Sequence, residues 1–171
     1  MSRLAACLKL MQRDGVDVLL LGREANARTV APVSRLWLAG TRPFSPGCVV
    51  VQRTGAVHVL ANTDAVVTPD FPVGHLYGIT WNPDELLASL SAIDGVTNAR
   101  RIGVDGMNPI ARGLLTRLAP DAELVDAGAL FAELWRGADP ERIAGVNSAT
   151  EVAKAGLDLM AAMLQPGRKP H

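Results

Sequence analysis

The sequence has little of what would mark a secreted, membrane-bound or nucleic-acid-binding protein. Only 2 cysteines, Cys7 and Cys48, occur among 171 residues, which excludes a disulfide scaffold and favours buried thiols in a reducing cytoplasm. Lys+Arg and Asp+Glu both number 17, so no net charge would attract nucleic acid or an anionic membrane. The longest uncharged stretch, residues 71–83, is broken by proline and glycine and too short to cross a bilayer. We therefore expect a soluble, cytoplasmic protein without nucleic-acid or membrane partners.

The common catalytic and cofactor motifs are also missing from the sequence. It contains no glycine-rich phosphate loop, and no serine or cysteine is accompanied by a nearby base. The 3 histidines, His58, His75 and His171, have no His or Cys three or four residues away, so no metal site is predicted. His58 is expected to face outward from a strand. Taken alone, the chain does not look like a complete enzyme, and no cofactor is expected in it.

What the sequence does contain is a regular order of apolar segments. Leu4, Leu8 and Met11 recur at helical spacing and are followed by a buried strand at residues 16–21. Residues 48–62 are typical of a β-hairpin, because two apolar runs flank a turn that contains Gly55. Residues 22–40 are predicted to begin irregularly. Residues 63–83 are predicted to form a long loop with one short edge strand.

The second half of the chain alternates between helices and strands. Helix starts are predicted at Asn82-Pro83 and Asn108-Pro109, where a capping side chain precedes a first-turn proline. Short strands are predicted at residues 100–106 and 122–126, and Asp126 is a plausible cap for the helix that follows. A hairpin followed by alternating elements predicts an α/β fold, a mixed sheet flanked by helices.

The last predicted element is a long helix that begins at Asp139-Pro140. Its apolar residues recur at steps of three and four and form a narrow stripe. The stripe needs a surface to bury against, so it is the predicted docking or oligomer surface. Its large side chains are Ile143, Val146, Leu157, Met160 and Leu164.

Several segments in this order carry a family resemblance. A helix leads into DGVDVLLL (14–21), NART (26–29) is followed by LAGTRPFSPG (38–47), and GADPERI (137–143) begins the last helix. Together they resemble the N-terminal region of the creatinase, prolidase and aminopeptidase P family, which has a D-x-L-L-L strand, N-x-R-Y, R-P-F and K-x-P-E-E-I. The chain departs from that pattern at Thr29, which replaces the tyrosine, and near Ala138, where the lysine is missing.

The resemblance implies a fold and a domain organisation. Residues 1–136 would form the ribonuclease H-like creatinase N-terminal domain, and residues 137–171 a linker helix that leads into a catalytic domain. In this family the catalytic, pita-bread domain holds two divalent ions such as Mn, Co or Zn with two Asp, one His and two Glu. Those ligands would lie beyond Gly167. The implied hydrolase activity, cleavage next to proline, is therefore expected to be absent from this chain alone, with no catalytic residue in it.

The resemblance also implies which residues would meet a substrate. In such enzymes the N-terminal domain helps to form the dimer and projects loops toward an active site, often that of the other subunit. Arg42 would bind a substrate carboxylate through its guanidinium, and the aromatic residues would form apolar walls for a proline-containing peptide. The simpler alternative is that the aromatic residues are core and Arg42 is solvated. The candidates are Arg35, Trp37, Arg42, Phe44, His75, Tyr77 and Trp81.

Two functions follow from these observations. The first is a non-catalytic domain of an Xaa-Pro dipeptidase or aminopeptidase, which contributes to oligomerisation and shapes and gates the active site. The second is a stand-alone interaction or regulatory module that dimerises through its C-terminal helix. The expected partners are accordingly a catalytic domain or a second copy of the chain, and a proline-containing peptide only in the full-length context.

Overall fold

The computed structural model describes residues 2–33, 46–61, 67–78, 80, 82–106, 109–136 and 140–164. The strands of this part of the chain are β1 (Val18–Leu21), β2 (Cys48–Val51), β3 (Val57–Ala61), β4 (Leu76–Gly78), β5 (Arg101–Asp105) and β6 (Glu123–Asp126). Its helices are α1 (Arg3–Asp14), α2 (Glu24–Val30), α3 (Pro83–Ser91), α4 (Pro109–Leu118), α5 (Gly128–Arg136) and α6 (Pro140–Met163). The chain divides into two compact units, residues 1–134 and residues 135–171.

One mixed sheet organises the first unit. Its strand order is β4-β3-β2-β1-β5-β6. The hairpin strands β2 and β3 pair antiparallel, and β2 also pairs antiparallel with β1. The remaining pairs, β1 with β5, β5 with β6 and β3 with β4, are parallel. The prediction of a mixed sheet flanked by helices, followed by one long helix, is confirmed.

The first helix and strand form for the local reasons that the sequence indicates. The Ser2 hydroxyl accepts a hydrogen bond from the Ala5 amide at 3.1 Å and caps α1. Gly15 ends α1 with φ 66°, a left-handed conformation that a residue with a Cβ avoids. All four residues of β1 are buried, as expected for a strand covered on both faces.

Each face of the sheet carries its own apolar core. Val50 packs on the first face with side chains from α1, α2 and α5, whereas Val49 and Val51 pack on the second face with α3 and α4. This alternation is what a strand covered on both faces requires. Cys7 and Cys48 are both fully buried in the first core. Burial raises the pKa of Cys7 to about 12 and also raises the pKa of Cys48, so both thiols stay protonated.

The prediction that the chain after β1 begins irregularly is wrong, because residues 24–30 form α2. This helix has only seven residues and no side-chain cap, since Arg23 occupies the N-cap position. Its buried side is made by Asn26, Ala27 and Val30, which is too short a pattern to show helical periodicity. Packing against the sheet supplies the stability that the local sequence does not provide.

The second unit consists mainly of α6. Every side chain from residue 143 to residue 164 is exposed. Among the described residues, no helix combines the length and the apolar character needed to cross a membrane.

Candidate functional site

The edge of the sheet at β3 and β4 brings together two residues that lie far apart in sequence. β4 is the edge strand, and it pairs with β3 in parallel so that Tyr77 lies beside Leu60. A 3-10 turn at residues 73–75 delivers the chain into β4. His75, the last residue of this turn, lies beside His58 of β3. We call His58, Phe71, His75 and Tyr77 the edge cluster.

Ring contacts hold the edge cluster together. The ring centroids of His58 and His75 are 4.2 Å apart, and those of His58 and Tyr77 are 5.8 Å apart. Phe71 contacts His75 edge-on at 6.5 Å. The Nδ1 atom of His75 lies 3.1 Å from the Val57 carbonyl oxygen. Because a carbonyl only accepts, Nδ1 is the donor of this hydrogen bond, and in the neutral ring the lone pair is on Nε2.

His58 does not face solvent as predicted: only 7% of it is exposed. The alternation of β3 was interpreted as one buried and one open face, but helices α3 and α4 cover the second face as well. The His58 Nδ1 atom finds no hydrogen-bond partner among the described residues. Burial, helped by the nearby charge of His75, lowers the pKa of His58 to about 4. His58 is therefore neutral at pH 7.

A second polar feature lies where β1 and β5 end side by side. Leu21 pairs with Asp105 at the last position of both strands. From there α2 packs on the first face of the sheet and α4 on the second. In open α/β sheets such a point of divergence is where ligands commonly bind.

At this point the Asp105 carboxylate binds the start of α2. One carboxylate oxygen accepts from the Gly22 amide at 2.5 Å and from the Arg23 amide at 3.0 Å, and the other accepts from Asn26 Nδ2 at 2.6 Å. Asp105 is 5% exposed and Asn26 is 3% exposed. Burial raises the pKa of Asp105 despite these three donors. Asn26 Oδ1 has no partner among the described residues.

Sequence reasoning missed this network, although both residues carried a signal. Asp105 lies at the end of the strand predicted at residues 100–106, and Asn26 is the asparagine of the N-x-R motif. Through these three hydrogen bonds the Asp105 carboxylate ties β5 to the start of α2. The motif asparagine thus acts as a structural partner of the strand-end acid.

A cavity of about 190 Å³ lies on the first face, where α1 ends and α5 begins. Its charged rim consists of Asp14, Arg101 and Asp126. Each of these already has a partner: Arg13 binds Asp14 at 2.6 Å, Arg101 Nη1 donates to the Asp14 carbonyl at 3.0 Å, and Asp126 accepts from the Gly128 amide at 2.9 Å. Asp126 thus binds the first amide of α5, but Ala127 rather than the predicted Asp126 occupies the N-cap position. The cavity is therefore better explained as a packing gap above Gly103 than as a ligand site.

The described residues hold only part of the predicted site. His75 and Tyr77 lie together in the edge cluster. Arg35, Trp37, Arg42, Phe44 and Trp81 lie outside the described residues, so their roles stay predictions. The stripe of α6 is exposed, from 52% at Ile143 to 80% at Leu164. Within the described ranges, no group of three His, Cys, Asp or Glu side chains is placed to hold a metal ion.

Comparison with known proteins gives the family of the chain. Residues 3–134 match the family model of the creatinase/prolidase N-terminal domain. The fold is similar to that of an Xaa-Pro dipeptidase from Bacillus anthracis, with a TM-score of 0.64 and 15% sequence identity. The match covers 97% of this chain and 44% of that one, so the chain spans less than half of the length of the dipeptidase. No curated protein has a significantly similar sequence. Because the family model matches most of its length, the chain belongs to the creatinase/prolidase N-terminal domain family.

Proposed function

We propose that this chain is the non-catalytic N-terminal domain of a metal-dependent Xaa-Pro peptidase, and that it acts together with a pita-bread catalytic domain. The observation that carries the proposal is the extent of the structural match. It includes almost the whole of this chain but 44% of the Xaa-Pro dipeptidase, which leaves most of that enzyme without a counterpart.

In this proposal the domain shapes and gates the active site. The segments at residues 35–47 and 75–82, the second of which includes the edge strand β4, would face the substrate, with Arg42 binding a carboxylate and the aromatic side chains forming the walls. The position of His75 and Tyr77 at the sheet edge supports this role, because loops next to an edge strand are free to extend away from the core. The two divalent ions would be held by the catalytic domain.

The proposal is tested with the purified chain and an Xaa-Pro dipeptide in the presence of Mn, Co or Zn. We expect no hydrolysis, because the chain would supply recognition without the metal-bound nucleophile. We also expect the reading frame that follows codon 171 to encode two Asp, one His and two Glu in the order of the family. Clear turnover by the pure chain, or a stop codon directly after codon 171, would contradict the proposal.

The exposed side chains of α6 favour a second candidate function, an interaction module that dimerises through this helix. Burial of Leu157, Met160 and Leu164 would contribute about 1.5–3 kcal/mol of free energy for each side chain, and this contribution is absent while they are exposed to water. Exposed apolar residues also lie outside the main stripe, at Val152 and Leu159. A helix that is apolar on more than one side is normally buried against a partner. This second candidate predicts that the isolated chain self-associates through α6.

A further inference from the structure

We propose that His58 and His75 form a binding site for a single divalent transition-metal ion, such as Cu²⁺ or Zn²⁺. The site lies in the edge cluster, on the N-terminal domain itself. It is separate from the two-metal centre that the family resemblance places in a catalytic domain. It therefore does not depend on the proposed function.

The backbone brings the two imidazole rings together. Parallel pairing of β3 and β4 aligns Leu60 with Tyr77, so His58 and His75 occupy matching positions at the start of that pairing. Both side chains consequently project on the same side of the sheet. Their ring centroids are 4.2 Å apart, and the ring planes are inclined by 35°.

Each ring has a nitrogen that the protein leaves available. His75 donates from Nδ1 to the Val57 carbonyl, so in the neutral ring the lone pair that would bind a metal is on Nε2. A backbone carbonyl in this position is the usual outer partner of a metal-ligating histidine. His58 is 7% exposed, and its Nδ1 has no hydrogen-bond partner among the described residues. A buried ring nitrogen without a partner is a group that a ligand would satisfy.

The separation of the rings suits a shared ion. A metal–imidazole bond is about 2.0–2.1 Å long, so two ligand nitrogens on one ion lie roughly 3 Å apart. The two rings lie in a tilted stack, with centroids 4.2 Å apart. Because the lone pair of an imidazole nitrogen lies in the ring plane, binding of one ion requires the rings to rotate until both lone pairs point toward it. Water would complete the coordination.

The donor set decides the class of ion. Imidazole nitrogens favour Cu²⁺, Ni²⁺ and Zn²⁺ over Mg²⁺ and Ca²⁺, which prefer oxygen ligands. Among divalent ions of the first transition row, affinity for a nitrogen site is highest for Cu²⁺. We therefore expect Cu²⁺ to bind more tightly than Zn²⁺, and Mg²⁺ not to bind.

The test is calorimetric titration of the full chain with CuCl₂ and ZnCl₂, followed by long-range ¹⁵N NMR of the histidine rings with Zn²⁺. We expect one ion per chain and shifted ring-nitrogen resonances for His58 and His75. His75→Gln should weaken binding by about tenfold or more, since it removes one of two protein ligands. His58→Gln should do the same, with folding checked by circular dichroism because this residue is buried.

His171→Ala is the matched control, because it removes the remaining histidine of the chain and should leave binding unchanged. Tyr77→Phe keeps the neighbouring ring and should also bind normally. The proposal is overturned if no ion binds, if His75→Gln binds as tightly as the wild type, or if His171→Ala abolishes binding. If His58→Gln does not fold, the NMR shift of His58 in the wild type decides whether this ring is a ligand.

Discussion

At the scale of the residue, the most constrained polar group of the described chain is the Asp105 carboxylate. It accepts hydrogen bonds from the Gly22 and Arg23 amides and from Asn26 Nδ2. Because the group is buried, its ionised form is disfavoured and its pKa is raised. Two opposing effects thus act on one side chain: the three donors hold α2 in place, and desolvation makes the negative charge costly.

This opposition predicts how stability depends on pH. The pKa of Asp105 is higher in the folded chain than its ordinary value of 3.8 in the unfolded chain. Its contribution to stability is therefore fully present below pH 3.8 and is lost as pH rises through the folded-state pKa. The side chain of the Asp105→Asn variant is neutral at every pH, so this variant does not lose that stability as pH rises. Its Oδ1 still accepts from the two amides, and a flipped Asn26 can offer its unpartnered Oδ1 to the new Nδ2. Urea unfolding from pH 3.5 to pH 8 should therefore show the variant gaining stability relative to the wild type as pH rises.

Two further variants complete that measurement. Asp105→Ala should be less stable than the wild type by about 1–3 kcal/mol, because buried donors lose their acceptor. Asp94→Asn is the matched control, since Asp94 pairs with Arg53 on the surface and exposed ion pairs contribute only about 0–1 kcal/mol. A constant difference between Asp105→Asn and the wild type at every pH would contradict the account given for Asp105.

At the scale of the element, a glycine in a strand and a glycine in a helix differ in whether a larger side chain would fit. Gly103 lies in β5, where a Cβ atom would be 2.6 Å from Leu19 Cδ2 and 3.3 Å from Val16 Cγ1. Leu19 is fully buried, so its side chain has little room to move away. Gly113 lies in α4 with no atom within 4 Å of its Cβ direction. Glycine is therefore required in β5 but only tolerated in α4.

We accordingly expect Gly103→Ala and Gly113→Ala to change stability in opposite directions. Gly103→Ala overpacks the first core and should lower the free energy of unfolding by about 1–3 kcal/mol. Gly113→Ala should raise it by about 0.5–1 kcal/mol, because alanine loses less conformational freedom than glycine in a helix. Both variants make the same glycine-to-alanine change, so each is the control for the other when their free energies of unfolding are measured by heat or urea. Equal effects would show that the packing around Gly103 is looser than described.

At the scale of the whole molecule, the chain consists of a packed unit and a helix with exposed apolar residues. All residues of both cores belong to the first unit. In the second unit the stripe at Ile143, Val146, Leu157 and Met160 is more than half exposed. Its steps of three and four residues match the a and d positions of a coiled-coil heptad. This pattern is what two copies of α6 would need to pack together.

The second candidate function therefore predicts a homodimer in solution. Leu157→Asp or Met160→Asp should shift sedimentation from dimer to monomer, because each places two charges in the apolar seam of a symmetric pair. Asn147→Asp introduces a charge at an exposed polar position of the same helix and should leave the dimer intact. A monodisperse monomer that neither substitution changes would exclude α6 as a self-association surface and favour a catalytic domain as its partner.

The sequence by itself determined most elements and the family, whereas tertiary structure decided which polar side chains meet. Caps, turn glycines and alternating valines act over a few residues, so α1, the hairpin and α6 were predictable from local patterns. The helix α2 was not, because its buried side consists of three residues that are stabilised mainly by the sheet. The prediction that His58 faces solvent was wrong because the sequence of one strand does not show whether helices cover the second face of the sheet. The pairs His58 with His75 and Asn26 with Asp105 join residues 17 and 79 positions apart, and only strand order and register bring such residues together.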